Sequence, residues 1–305
     1  MKKITLLVAV LALGLFFVSC NKEGQFTPKN KIDRVCYSGS YKYEVYDGSG
    51  WYTQNSENTS KYVKEIWNWD GKLLKSISYY NSEGELSYTE NYEYDGKRLV
   101  SISWGTASRY VLNYEKGKIA TMEAFNGTEK EFSAEFTHEN GKITNIKCTD
   151  YDNKSSARLL PLNVFRFFIP DADMESIAQC MANIQERMNT KAISSYDIKL
   201  EWDGKNVSKV TWQEGAYWET NEYTYDNKLN PYCGLLDMSE YGVTDMLSKN
   251  NITRRVYRDA DNDYKERDYI YTYDGKVPTM QTCSYTNTYD YYRYSYTDIY
   301  YYEYK

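Results

Sequence analysis

One short turn constrains this chain more than any other feature. An aromatic residue, Asp, Gly and Lys recur in that order as Trp69-Asp70-Gly71-Lys72, Tyr94-Asp95-Gly96-Lys97, Trp202-Asp203-Gly204-Lys205 and Tyr273-Asp274-Gly275-Lys276, with a looser copy at Tyr225-Asp226-Asn227-Lys228. Asp-Gly between alternating apolar segments is a strong local hairpin signal, because both central residues of a type I′ turn need positive φ. The sequence therefore predicts an all-β, mainly antiparallel fold built from hairpins.

The flanks of the turn repeat as well. Before it, alternate positions hold Trp67/Trp69, Tyr92/Tyr94, Leu112/Tyr114, Phe136/His138, Leu200/Trp202, Tyr223/Tyr225 and Tyr271/Tyr273. After it come apolar triplets: Leu74/Ile77/Tyr79, Leu99/Ile102/Trp104, Ile119/Met122/Ala124, Ile143/Ile146/Cys148 and Val207/Val210/Trp212. Two of these follow the variant turns Lys116-Gly117-Lys118 and Asn140-Gly141-Lys142. Period-two spacing puts each pair on one strand face. The offset of three inside each triplet breaks alternation, and a β-bulge after the turn restores the face. The period of about 21 to 25 residues is that of a reiterated supersecondary unit. A lone hairpin is not stable in water, so neighbouring units must share a buried face. Turn and bulge together increase twist, which predicts a curled sheet.

Two stretches interrupt the array. From about 159 to 195 the pattern changes, and Ile177, Met181, Ile184 and Met188 fall at helical spacing behind Asp171 and Asp173. One amphipathic helix over about 171–190 is expected, packed against the sheet. The second interruption, Asn230-Pro231-Tyr232-Cys233-Gly234 through Leu247-Ser248-Lys249-Asn250-Asn251, reads as loops or a short helix between strands.

The N-terminus gives an address. Lys2 and Lys3 precede a continuous apolar run, Ile4 to Val18, that is too short and too one-sidedly flanked for a transmembrane helix. The run ends in Phe17-Val18-Ser19-Cys20, which resembles the lipobox of bacterial lipoproteins, with Phe17 in place of the usual Leu. The resemblance implies cleavage before Cys20 and acylation of that residue. The organisation expected is thus a signal peptide at 1–19, a lipidated Cys20 with a polar tether to residue 30, and a single β domain over 31–305. Bacteroidetes lipoproteins displayed at the cell surface resemble one another in an acidic run after the Cys. Here that stretch holds only Glu23, which leaves both a periplasmic and a surface-facing position on the outer membrane open.

Without the leader lysines the chain carries 35 basic and 43 acidic residues, a net charge of −8. That balance excludes a nucleic-acid partner, whose phosphates need a basic face, and gives no general attraction to anionic lipid. The Tyr-Asp-Gly-Lys units, the Asn-Pro-Tyr loop and the Leu-Ser-Lys-Asn-Asn stretch together resemble a family of Bacteroidales lipoproteins of unknown function, over most of residues 31–305. The turns also resemble the wider Tyr-Asp repeats of bacterial surface and toxin-shell proteins. These resemblances imply an envelope location and an antiparallel repeat fold. They imply no activity.

Little in the chain points to catalysis. His138, the single histidine, occupies a slot that holds Trp or Tyr in the other repeats, so it reads as a packing ring. No phosphate loop, metal motif or cofactor motif is present. Asp259-Ala260-Asp261-Asn262-Asp263 alternates acids but lacks the Gly and Glu of a calcium loop, and reads as a hairpin loop. Besides Cys20 there are Cys36, Cys148, Cys180, Cys233 and Cys283, an odd number that allows at most two disulfides.

Tyrosine is the compositional extreme, with 35 residues. Tyr292, Tyr294 and Tyr296, and again Tyr300, Tyr302 and Tyr304, alternate along the C-terminus as two strands of a hairpin bent at Thr297-Asp298-Ile299. Such rows support a sheet by cross-strand contact, and an uncovered face is an aromatic platform for sugar rings or a protein partner. The sequence therefore points to a non-enzymatic, lipid-anchored module that binds glycan or another envelope protein. A carboxylate-based glycan-active enzyme and a periplasmic carrier of an apolar ligand are the alternatives.

Overall fold

The Asp-Gly-Lys turns are not of type I′. In the computed structural model, which describes residues 23–151, 194–235, 242–261, 263–288 and 291–305, Gly71, Gly96, Gly204 and Gly275 have φ of +54, +63, +56 and +61°, while the Asp before each is not left-handed. Asp70 pairs with Leu73 across the turn, so Gly71 and Lys72 are the central residues. Positive φ at the first central position alone is the type II′ pattern, which places Gly there. The type I′ expectation holds instead for the variants: Lys116 and Gly117 have φ of +49 and +83°, and Asn140 and Gly141 have +51 and +80°.

Sixteen strands are described: β1 (Ile32–Tyr46), β2 (Trp51–Asp70), β3 (Leu73–Tyr80), β4 (Leu86–Asp95), β5 (Arg98–Trp104), β6 (Ser108–Glu115), β7 (Lys118–Asn126), β8 (Glu129–Glu139), β9 (Lys142–Asp150), β10 (Ser194–Asp203), β11 (Asn206–Glu214), β12 (Tyr217–Tyr225), β13 (Ile252–Asp259), β14 (Tyr264–Asp274), β15 (Val277–Thr288) and β16 (Tyr292–Tyr304). Each pairs antiparallel with its sequence neighbour, and β1 pairs with both β2 and β16. The open curled sheet is thereby overturned, because the sheet closes into a barrel. Twist of constant hand accumulated over many strands brings the first beside the last, and closure removes both unpaired edges.

The inserted helix expected over 171–190 lies outside the described residues, as does Cys20. The helix that is described, α1 (Gly242–Leu247), belongs to the connection between β12 and β13. Thr297, Asp298 and Ile299 form no bend. They lie mid-strand in β16, paired with Ser40, Gly39 and Ser38.

Register shifts occur one residue before the turn in each repeat, at Asn68/Trp69, Glu93/Tyr94, Asn113/Tyr114, Thr137/His138, Glu201/Trp202, Thr224/Tyr225 and Thr272/Tyr273. These bulges are the source of the offset of three. A bulge frees a backbone carbonyl from the ladder, and the next ring along supplies the missing donor. The Trp202 indole donates to Ile143 O at 2.8 Å, Tyr114 OH to Leu99 O at 2.6 Å, Trp69 Nε1 to Ile32 O at 2.8 Å and Tyr304 OH to Pro278 O at 2.8 Å. Most of these slots therefore need a ring that also carries an N–H or O–H.

The apolar triplets all face inward, where Leu74, Ile77, Ile102, Ile146 and Val207 are fully buried. Outward positions carry polar residues, with Asn91, Glu93, Asn113, Lys147, Lys199 and Gln213 exposed. Hydroxyl and amide pairs run between strands on that side, including Ser78 to Thr89 at 3.1 Å, Asn113 to Thr121 at 3.1 Å and Ser284 to Thr297 at 3.0 Å. A barrel embedded in lipid shows the reverse polarity, with an apolar outer band around a polar lumen.

The topology sorts the connections. The Asp-Gly-Lys turns, the β12–β13 connection, the start of β1 and the end of β16 share one rim. A cap seals that rim. Phe26, 5% exposed, sits 5.8 Å from the Trp69 ring, and Tyr232 sits 6.0 Å from both Trp67 of β2 and Tyr302 of β16. Ser248, after α1, accepts the Val207 N–H at 3.1 Å. Residues 23–26, part of the stretch read as a tether, thus belong to the packed body.

Candidate functional site

Away from the capped rim, the inward face becomes aromatic and charged. The wall formed by β1, β15 and β16 is a ladder of tyrosines. Tyr43 stacks on Tyr294 with centroids 5.0 Å apart, Tyr41 meets Tyr296 at 5.1 Å, and Tyr296 stacks on Tyr285 at 4.9 Å. The register produces this directly, because Tyr43, Tyr41 and Tyr37 pair with Tyr294, Tyr296 and Tyr300. All six C-terminal tyrosines singled out from the sequence lie on one face of one strand, turned into the barrel. They divide by depth. Tyr300 and Tyr302 are buried, Tyr302 OH donates to Gln281 at 2.9 Å, and Tyr304 is used by the bulge carbonyl of Pro278. Tyr292, Tyr294 and Tyr296 lie toward the rim opposite the capped one, and Tyr292 is 37% exposed.

Farther round the barrel, on β10, β11 and β12, lie Tyr196, Trp212 and Tyr217, with ring centroids 5.5 and 5.6 Å apart in sequence. Between the two walls sit charges that the sequence reading missed. Arg255 of β13 and Arg267 of β14 are direct cross-strand partners, 5% and 4% exposed. Arg255 Nε donates to Asn221 Oδ1 at 2.7 Å, and the Arg267 guanidinium lies 4.0 Å from the Tyr285 ring centroid. A signal for Arg267 did exist: counting back by twos from the pre-turn Tyr273 passes Tyr271 and Tyr269 and reaches it.

Inward carboxylates, of which Glu65, Glu90, Glu219 and Asp259 are buried, are met by ring donors. The Trp67 indole donates to Glu65 at 2.8 Å, Tyr92 OH to Glu90 at 2.9 Å, Tyr217 OH to Glu219 at 2.8 Å, Tyr257 OH to Asp259 at 3.0 Å and Tyr37 OH to Asp298 at 2.7 Å. A buried anion needs such charge-assisted bonds to remain ionised. Burial raises the Tyr37 and Tyr257 phenols well above their usual range, and the adjacent carboxylates add to the rise, so both stay protonated donors. Glu219 and Asp259 are register partners on β12 and β13, a facing carboxylate pair of the kind a glycosidase reading would need. Asp259 also accepts the N–H groups of Asp261 and Asp263 at 3.0 and 2.9 Å, which commits it to shaping the β13–β14 loop. Among the described residues no group of His, Cys, Asp and Glu is arranged to hold a metal.

Among the buried side-chain atoms that make no hydrogen bond to the described residues are Trp212 Nε1 and Tyr269 OH; each residue is 8% exposed. Tyr269 OH lies in the field of Arg255 and Arg267. A buried unmet donor costs about 1–3 kcal/mol.

His138 keeps its place in the ring slot but does more than pack. Its Nε2 lies 3.0 Å from the Glu23 carboxylate. Cys36 and Cys148 are free thiols, and burial pushes both upward from the usual range.

Comparison with known families and with curated proteins finds no match. Among solved structures, the chain resembles a porin-like protein from Bacteroides uniformis at 12% identity, covering 93% of this chain and all of that one, with a TM-score of 0.49. It also resembles a porin-like protein from Bacteroides vulgatus at 12% identity, covering 91% and 99% of the two chains, with a TM-score of 0.43.

Proposed function

We propose that this chain is a lipid-anchored envelope protein whose barrel binds a glycan toward the end opposite its capped rim, without catalysis. The tyrosine ladder of β1, β15 and β16, turned into the barrel and partly exposed near the mouth, carries the reading. Tyrosine faces offer flat, amphipathic area at low entropic cost, which suits the apolar faces of sugar rings. The unmet donors of Trp212 and Tyr269 and the guanidiniums of Arg255 and Arg267 supply the fixed polar groups that orient a hydroxylated or carboxylated ligand. A carrier of apolar ligands fits less well, because the buried charges stand where an acyl chain would lie.

A glycan array probed with the mature protein tests this, followed by calorimetry on any hit. Binding is expected, and Tyr294→Ser with Tyr296→Ser is expected to weaken it at least tenfold. Undiminished binding by that double variant, or an array with no hit, overturns the proposal.

A further inference from the structure

The N-terminal segment fixes which way the barrel points. Glu23 is held from two sides: its carboxylate accepts the Ile119 N–H at 2.7 Å and lies 3.0 Å from His138 Nε2. Gly24 O accepts the Leu99 N–H at 2.9 Å. Gly24 itself admits no side chain, since its φ is +73° and an added Cβ would lie 2.0 Å from Tyr114 OH. Phe26 completes the seat against Trp67 and Trp69. These contacts tie the segment to the starts of β5, β7 and the end of β8, all on the Asp-Gly-Lys rim.

Cys20 precedes Glu23 by three residues. Even fully extended, three residues span only about 10 Å. We propose that the Asp-Gly-Lys rim lies against the headgroups of the bilayer that holds the Cys20 lipid, and that the tyrosine-lined mouth opens away from it. The proposal rests on the lipid-anchor reading. Charge is not what selects this face. Each Asp-Gly-Lys turn exposes an Asp beside its Lys, as in Asp70 and Lys72 or Asp203 and Lys205. Tether length and the Glu23 seat decide the orientation. A flexible tether of twenty or more residues would leave a barrel free to tumble, whereas a seat this close to the anchor does not.

The test uses the full lipoprotein reconstituted in phospholipid vesicles. A fluorescent amino acid is placed either at Lys205, exposed on the rim, or at Ser49, exposed in the β1–β2 hairpin at the other end. Its quenching by a headgroup-linked acceptor is then measured. Quenching is expected to be several-fold stronger at Lys205. Inserting twenty Gly/Ser residues between Lys22 and Glu23 is expected to reduce the difference while the protein stays on the vesicles. Equal quenching at the two positions, or stronger quenching at Ser49, overturns the orientation. Metabolic labelling with palmitate, with Cys20→Ala as control, reads the anchor separately. Absence of Cys20-dependent label removes the anchor and the orientation together, whereas label with equal quenching removes the orientation alone.

Discussion

His138 and Glu23 meet at 3.0 Å although 115 positions separate them. One is a repeat residue at the end of β8 and the other belongs to the chain entry, so their contact locks the leading segment onto the barrel rim. Glu23→Gln and His138→Phe are each expected to destabilise the fold by about 1–2 kcal/mol, because each removes a partly buried polar contact. The double variant is expected to lose little more than either single one. Urea titrations of the four proteins read the coupling, and simple additivity would show that the two side chains act independently.

Removing the ring donors of the bulge slots should cost stability. Tyr114→Phe leaves the Leu99 carbonyl without its 2.6 Å partner, and a loss of about 1–2 kcal/mol is expected. Trp202→Phe should behave alike through Ile143 O. Thermal melts of both variants check this, and unchanged melting would mean that solvent meets the freed carbonyls at no cost.

The turn geometry separates the two residues of the Asp-Gly pair. Gly96 has φ of +63°, so Gly96→Ala is expected to destabilise by about 1 kcal/mol or more. Asp95 lies outside the central positions and pairs with Arg98, so Asp95→Ser is expected to cost well under that. The opposite order in denaturant midpoints would restore a type I′ turn.

Acid should weaken the tall wall at the mouth. Glu44 receives bonds from Arg293 Nε and Lys42 Nζ, both at 2.7 Å, and these hold its carboxyl down to about 2. A depressed folded value means that this contribution is complete above the ordinary carboxylate range near 4.3 and fades as pH falls toward about 2. Glu44→Gln should therefore melt below the parent protein at pH 7, with the gap closing progressively between about pH 4 and 2. A gap independent of pH would assign the loss to packing instead.

The buried Tyr269 hydroxyl has no hydrogen bond among the described residues, so Tyr269→Phe is expected to leave stability unchanged or slightly raised. If the barrel binds a glycan as proposed, the same variant should bind it more weakly. Reduced stability would instead reveal a structural partner for that hydroxyl.

Much of this architecture can be read one strand at a time. The pre-turn pair Trp67/Trp69 and the post-turn triplet Leu74/Ile77/Tyr79 face inward as their spacing demands, and the offset of three marks a bulge in each repeat. The tyrosine rows of β16 were visible too, but their division into two strands was not. Thr297-Asp298-Ile299 contains the polar residue of a turn and none of its left-handed backbone, and only pairing with β1 shows it to be mid-strand. Arg255 and Arg267 hid for a similar reason, since alternation gives a face but not what lies across the lumen.

By itself the sequence determined the local chemistry: hairpins, bulges, an apolar inner face and a ring before each Asp-Gly-Lys turn. These depend on neighbours in the chain, where residue spacing alone sets which side chains share a face. Only the tertiary structure decided that the sheet closes, because the pairing of β1 with β16 joins residues from Val45 and Tyr292 to Ile32 and Tyr304, about 250 to 270 positions apart, and no local signal records it. Closure then placed the tyrosines inside instead of on an outer platform, gathered the Asp-Gly-Lys turns onto one rim, and set His138 where Glu23 could reach it.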